Sequence, residues 1–146
     1  MIEGSLFYSA TWFKFKDNAA EFAATLLEFK FGNSLEFLKN IIAPILRSRF
    51  QKRFKTQGTG NHTDEENLTI LRSDLQAIET YLGDKDFFFG DKPSLVDIMV
   101  FAHVAAFYYL PWHHLAKDLV DSEFPKIVEH VHKIEKKLFS DFKFGQ

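Results

Sequence analysis

Leu68, Leu71, Leu75, Ile78 and Leu82 fall three or four residues apart, the repeat of one helix face, between an acidic start at Asp64, Glu65 and Glu66 and a stop at Gly83. Ile127, Val131, Ile134 and Leu138 draw the same stripe near the C-terminus, and Leu46, Phe50 and Phe54 draw it in a cation-rich stretch closed by Gly58 and Gly60. Ile2, Leu6, Ser9, Trp12 and Phe13 mark a first helix that ends at Asp17 and Asn18. A second helix follows from Ala19 to Phe29, with Gly32 and Asn33 as its stop and Ser34 as the next start. Pro44 would remove a backbone donor and clash with the carbonyl four residues back, so it marks a kink or a fresh helix start, and the pattern favours the fresh start. Leu95 to Leu110 is apolar or small except at Asp97 and His103, which predicts a buried helix; a short helical pattern around His114 to Leu119 comes next. The strand-like run Phe87 to Phe89 is too short to build a sheet. The expectation is one all-α domain over residues 1–146, a bundle of about six helices.

Helix-start chemistry sharpens that reading. Thr63 and Glu66 have capping-box spacing, as do Ser94 and Asp97, where each side chain satisfies an orphan amide of the other residue. Pro93 and Ile98 flank the second box at staple spacing, and Asn18 with Glu21 is a third candidate.

The same residues carry a family resemblance. A loop ending Gly90-Asp91-Lys92-Pro93-Ser94, then Asp97 and an apolar helix, resembles the helical C-terminal domain of glutathione transferases. Gln57 to Glu66, Asp74 to Ile78 and Leu82 to Lys85 resemble the failed axon connections branch of that superfamily, a relative of the metaxins. Met1 to Tyr8 resembles the first helix of the domain, and Glu123 to Val128 its last major helix. Members of the superfamily place a thioredoxin-like domain before this one and hold glutathione mainly through it, by a cis-proline loop and a Glu/Gln-Ser turn. Neither has a counterpart in these residues, so the resemblance implies that the thioredoxin-like N-terminal domain is absent here. It also implies no cofactor in this chain, with glutathione bound only alongside such a domain.

Composition narrows the classes that remain. With 146 residues, 46% hydrophobic and 26% charged, the chain can bury a core. The absence of cysteine excludes disulfides, thiolate zinc sites and a cysteine nucleophile. Glu3 stands where a signal peptide would have a basic region, and the expectation is a cytoplasmic protein. The sequons at Asn61 and Asn67 then read as helix-start chemistry. The apolar run from Leu95 is shorter than the ~20 residues of a membrane span and holds Asp97 and His103, so it reads as a core helix.

Chemistry-bearing motifs are sparse. Gly58 to Thr63 follows a helix and lacks the Lys-Ser/Thr of a phosphate loop, which leaves it a connector. No serine elbow occurs, and neither His113–His114 nor His130–His132 has ligand spacing on a helix face. No catalytic, cofactor or metal residue is assigned, and His103 reads as a satisfied core histidine. Arg49, Lys52 and Arg53 form a basic stripe that suits an anionic surface, against the plainer reading of a solvated helix face, and a pI near 6.3 argues against nucleic acid. Tyr8, Trp12, Tyr108 and Trp112 exceed what one buried stripe needs and are candidates for an apolar ligand or interface site, against ordinary core packing.

The reading is a transferase-like helical domain that is noncatalytic alone. It would act as a docking or dimerisation module and as one half of an apolar pocket, with a thioredoxin-like domain or a second copy as partner. One alternative is part of an active glutathione transferase whose thioredoxin-like domain lies outside this chain. Another, from the metaxin kinship, is a membrane-associated sorting or interaction module that docks through the basic helix.

Overall fold

A computed structural model describes residues 1–31 and 37–142. Its helices are α1 (Phe7–Lys16), α2 (Ala19–Phe31), α3 (Lys39–Gln57), α4 (Asp64–Leu82), α5 (Leu95–Tyr108), α6 (Leu115–Glu123) and α7 (Pro125–Leu138), and among the described residues there is no strand. A wide π-type turn over Ile2–Leu6 runs directly into α1. The all-α expectation holds, with seven α-helices described against about six expected. The stop expected at Gly32 and Asn33 and the start at Ser34 lie outside the described residues.

Pro44 does not start a helix; it lies inside α3, which begins at Lys39. A proline there removes only its own bond to the Asn40 carbonyl. Packing carries the helix past that gap, because the neighbouring Ala43 is buried with Ala19 and Ala23 of α2.

The main core joins α1, α4, α5, α6 and α7. Leu71, Leu75, Val104, Val120, Ile127 and Ile134 are fully buried within it, each such side chain contributing about 1.5–3 kcal/mol over an exposed one. Three ion pairs fasten its exterior: Arg72 of α4 grips Glu123 of α6 at 2.7 Å, and Lys126 and Lys133 of α7 hold Asp84 and Asp86 at 2.7 and 2.6 Å. The second core is much smaller. Ala19, Ala23 and Ala43 form it, with Ala20, Ile42 and Leu46 against them, and among the described residues α2 also buries Leu27. This hairpin attaches to the rest through aromatics: Phe50 stacks on Phe15 with ring centroids 3.8 Å apart, and Phe54 meets Tyr8 and Trp12 edge-on.

Asp97 is the organising polar residue. Its side chain is 0% exposed, and it accepts from the Ser94 amide at 2.7 Å, the Ser94 hydroxyl at 2.5 Å and the Phe88 amide at 2.9 Å. Burial opposes its ionisation, but those hydrogen bonds outweigh burial and hold the carboxyl below its usual range. One side chain thus caps α5 and fixes the loop that buries Phe87 and Phe88. Gly90 closes that loop at φ +114, a conformation a Cβ disfavours, with paired 3.1 Å bonds to Phe87. Thr63 and Glu66 cap α4 in the same reciprocal way, at 2.7 and 3.2 Å, but in solvent.

The α5 helix departs from its expectation. Val100, Val104 and Phe107 are buried, yet Leu95 is 72% and Ile98 37% exposed, and Ala102 and Ala106 continue the open face at the next turns. With no polar residue on that face, the sequence reads as buried all round, and only the packing shows which side lacks a neighbour.

The two capping boxes should respond differently to truncation. Asp97→Ala strands two amides in a dry site, so a stability loss of about 3–5 kcal/mol is expected in urea unfolding. Thr63→Ala, on an exposed box, should cost about 1 kcal/mol.

Candidate functional site: a cationic and aromatic groove

The cation-rich face of α3 meets the first turns of α1. The Tyr8 hydroxyl accepts from Arg53 Nε and Nη2, each at 3.2 Å, and the guanidinium carbon lies 5.4 Å from the Tyr8 ring centre. Arg49, Lys52, Thr56 and Gln57 complete an open groove of about 370 Å³. A planar donor fork beside an aromatic face suits an anion carrying an apolar body, which a guanidinium can grip while the ring covers its flank. That geometry supports binding of such an anion.

The structure therefore gathers one candidate aromatic, Tyr8, with all three candidate cations, Arg49, Lys52 and Arg53. The other aromatics take separate partners. Trp12 donates from Nε1 to Asp64 Oδ1 at 2.9 Å, and Lys16 bonds the second oxygen of that carboxylate. The Lys16 and Trp12 hydrogen bonds hold Asp64 below its usual pKa and tie α1 to the start of α4. Tyr108 lies under Lys117 Nζ at 5.3 Å, next to Tyr109 and His132. Trp112 and Pro111 line a cleft of about 290 Å³ against Ala20, Ala24 and Thr25 of α2. The four aromatics are each half-buried and do not share one pocket. Sequence reasoning kept Tyr8 apart from the arginines because they sit on different helices, and no local signal announces the pairing.

Histidines and buried polar groups serve the fold. His103 Nδ1 donates to the Met99 carbonyl at 2.9 Å, with Nε2 3.6 Å from Glu3; the residue is half-buried rather than a core residue. His114 caps α6: Nδ1 accepts from the Lys117 amide at 3.2 Å, which leaves Nε2 to donate to the Phe107 carbonyl at 2.9 Å. Burial lowers the His114 pKa. His130 of α7 is 3% exposed, sits between Phe87, Phe88 and Asp97, and has Nε2 3.5 Å from Asp97 Oδ1; burial lowers its pKa as well, with Asp97 opposing. Asn67 is fully buried and donates to the Thr59 carbonyl at 3.1 Å, so its sequon marks a loop anchor. Among the described residues no group of His, Asp and Glu converges as a metal site, and no helix is long and apolar enough to cross a membrane.

Residues 71–134, from mid-α4 through the Asp97 loop to the end of the α7 stripe, match the family model described as the glutathione S-transferase C-terminal domain. Over that segment the chain is similar to the glutathione S-transferase C-terminal domain. Its similar proteins include Failed axon connections of Drosophila melanogaster, 31% identical over 93 residues, which cover 62% of this chain and 22% of that protein. The isoprene-epoxide glutathione S-transferase of Rhodococcus sp. (strain AD45) is 28% identical over 90 residues, 62% of this chain and 37% of the enzyme. The metaxin-1 homolog of Caenorhabditis briggsae is 28% identical over 110 residues, 75% of this chain and 34% of that protein. The transferase-like chain thus spans between about a fifth and about two fifths of the length of these curated relatives. No solved structure matches the chain.

The two buried histidines of the transferase-like domain give a signed prediction. Their folded pKa values lie below the ~6.5 of an unfolded histidine, so the unfolded chain takes up protons first. Their stabilisation is complete above about pH 6.5 and is lost as pH falls through the depressed folded values. Urea midpoints should decline below about pH 6.5, and His114→Gln should make that decline shallower.

Proposed function

We propose that this transferase-like domain is a noncatalytic docking module whose open α5 face is covered by a thioredoxin-like domain or by a second copy. The observation behind this reading is the apolar stripe of Leu95, Ile98, Ala102 and Ala106, exposed on the helix that runs through the core. Contiguous apolar surface on a rigid element favours a partner, because covering it removes area from water at no cost in ordering the helix. The stripe serves equally as an apolar half-site, since a partner laid across it would close a pocket lined on this side by Leu95 and Ile98. Glutathione needs donors for its two carboxylates, and the stripe offers apolar side chains alone, so these residues do not fit it and no step is derived through it. The named epoxide transferase activity belongs to a relative of which the match covers 37%.

Sedimentation velocity and calorimetry test the reading, on the chain alone and mixed with an isolated thioredoxin-like domain from a glutathione transferase. Association with one or the other is expected, weakened at least about tenfold by Leu95→Glu with Ile98→Glu; Leu95 is 72% exposed, so Leu95→Glu alone should leave the melting temperature unchanged. No association in either mixture, or association indifferent to these substitutions, overturns it. So does conjugation of glutathione to a generic electrophile by the chain alone.

A further inference from the structure

The groove between α1 and α3 is built mainly from hydrogen-bond donors. The Tyr8 hydroxyl accepts twice from Arg53, which leaves its own hydrogen to donate. Gln57 engages Oε1 with the amide and the hydroxyl of Thr59, so the end of its side chain that remains for a ligand is the NH2 group. Arg49, Lys52 and Arg53 share one face of α3, at i, i+3 and i+4. Arg49 and Lys52 form no ion pair among the described residues, and from Phe37 to Thr63 the chain contains no acid.

Beside these donors stands a fixed aromatic wall. Phe7 and Phe54 meet the Tyr8 ring edge-on, with centroids 5.1 and 6.4 Å away, and the Arg53 fork ties its hydroxyl to α3. A ring held from three sides loses little freedom when a ligand covers it. The groove also lies outside residues 71–134 that match the family model, and it shares no residue with the α5 stripe.

The ligand's chemistry follows from what this set lacks. An ammonium or amide group brings donors to donors and meets cations with no acceptor to receive it. A carboxylate neutralises one of the two unpaired cations and leaves the other. A phosphate monoester carries about −1.5 to −2 charge at neutral pH on three acceptor oxygens, enough for both cations and for a donor beside them. The diesters of a nucleic acid carry a single charge on each phosphate.

We infer that the Tyr8–Arg53 groove binds a small phosphate monoester with a planar apolar body. The phosphate sits between Arg49, Lys52 and the Gln57 amide, and the planar group lies along the Tyr8 ring. Arg53 is a positioning residue that holds the ring in place.

Calorimetric titration of the whole chain with phenyl phosphate tests it. Saturable binding is expected, at least about tenfold tighter than that of phenyl sulfate, which has the same shape and one charge fewer. Inorganic phosphate, which has no ring to lay on Tyr8, should also bind at least about tenfold more weakly. Arg49→Gln with Lys52→Gln should abolish binding without shifting the melting temperature, since both side chains are exposed. Arg53→Lys keeps the charge and releases Tyr8, so it should weaken phenyl phosphate more than inorganic phosphate. Leu95→Glu should leave the affinity intact, which separates this site from the docking face. The proposal is overturned by no binding of phenyl phosphate, or by binding indifferent to Arg49→Gln with Lys52→Gln. It is overturned equally if a single-stranded oligonucleotide or phosphatidylserine vesicles, whose phosphates are diesters, bind as tightly per phosphate as phenyl phosphate does.

Discussion

Three short hydrogen bonds hold the carboxylate of Asp97 ionised with no exposed surface, and the loop before it, α5 and α7 all take their positions from that residue. A buried charge is tolerated only where its acceptor sites are filled. Filling them here requires the Ser94 and Phe88 amides to converge on one point, and that convergence turns the chain sharply into α5 and presses Phe87 and Phe88 into the core. His130 closes the arrangement from α7 as a neutral ring, packed on both phenylalanines, which keeps the site dry. Lys126 and Lys133 pin the same loop from outside, where solvent makes their contribution small.

Around that point the domain divides into two regimes. The five-helix body has a deep core of branched and aromatic residues and resists local opening, whereas the hairpin buries mostly alanine and leans on a few aromatic contacts. Regions with little buried apolar area open at lower free energy than the whole. The hairpin's larger apolar side chains point outward, which makes poor sense for its own stability and good sense for a surface that meets something else. Charge follows the same division, cations on the hairpin and acids on the body, so the molecule is strongly polarised although its net charge is small.

Much of this was legible in the order of residues, because the signals are local. The stripes of α4 and α7, the boxes at Thr63–Glu66 and Ser94–Asp97, and the stop at Gly58 depend on neighbours within a turn or two. The motif at Pro93 to Asp97 also carried the family resemblance, since a residue that organises a fold leaves a recognisable spacing. Where local rules spoke against the packing, they failed: Pro44 reads as a break, but Ala43 buried on α2 holds α3 together across it.

What the sequence by itself determined is the helical register of each segment, the caps that end them, and the all-α class, since each follows from hydrogen bonds and periodicities that span a few residues. Tertiary structure alone decided which faces remain open. Leu95 and Val100 are equally apolar, yet one is exposed and the other buried, because the difference lies in whether another helix happens to cross that side. Tyr8 met Arg53, and Trp12 met Asp64, for the same reason: such pairs are created by how helices dock, and no spacing along the chain encodes the distance between them.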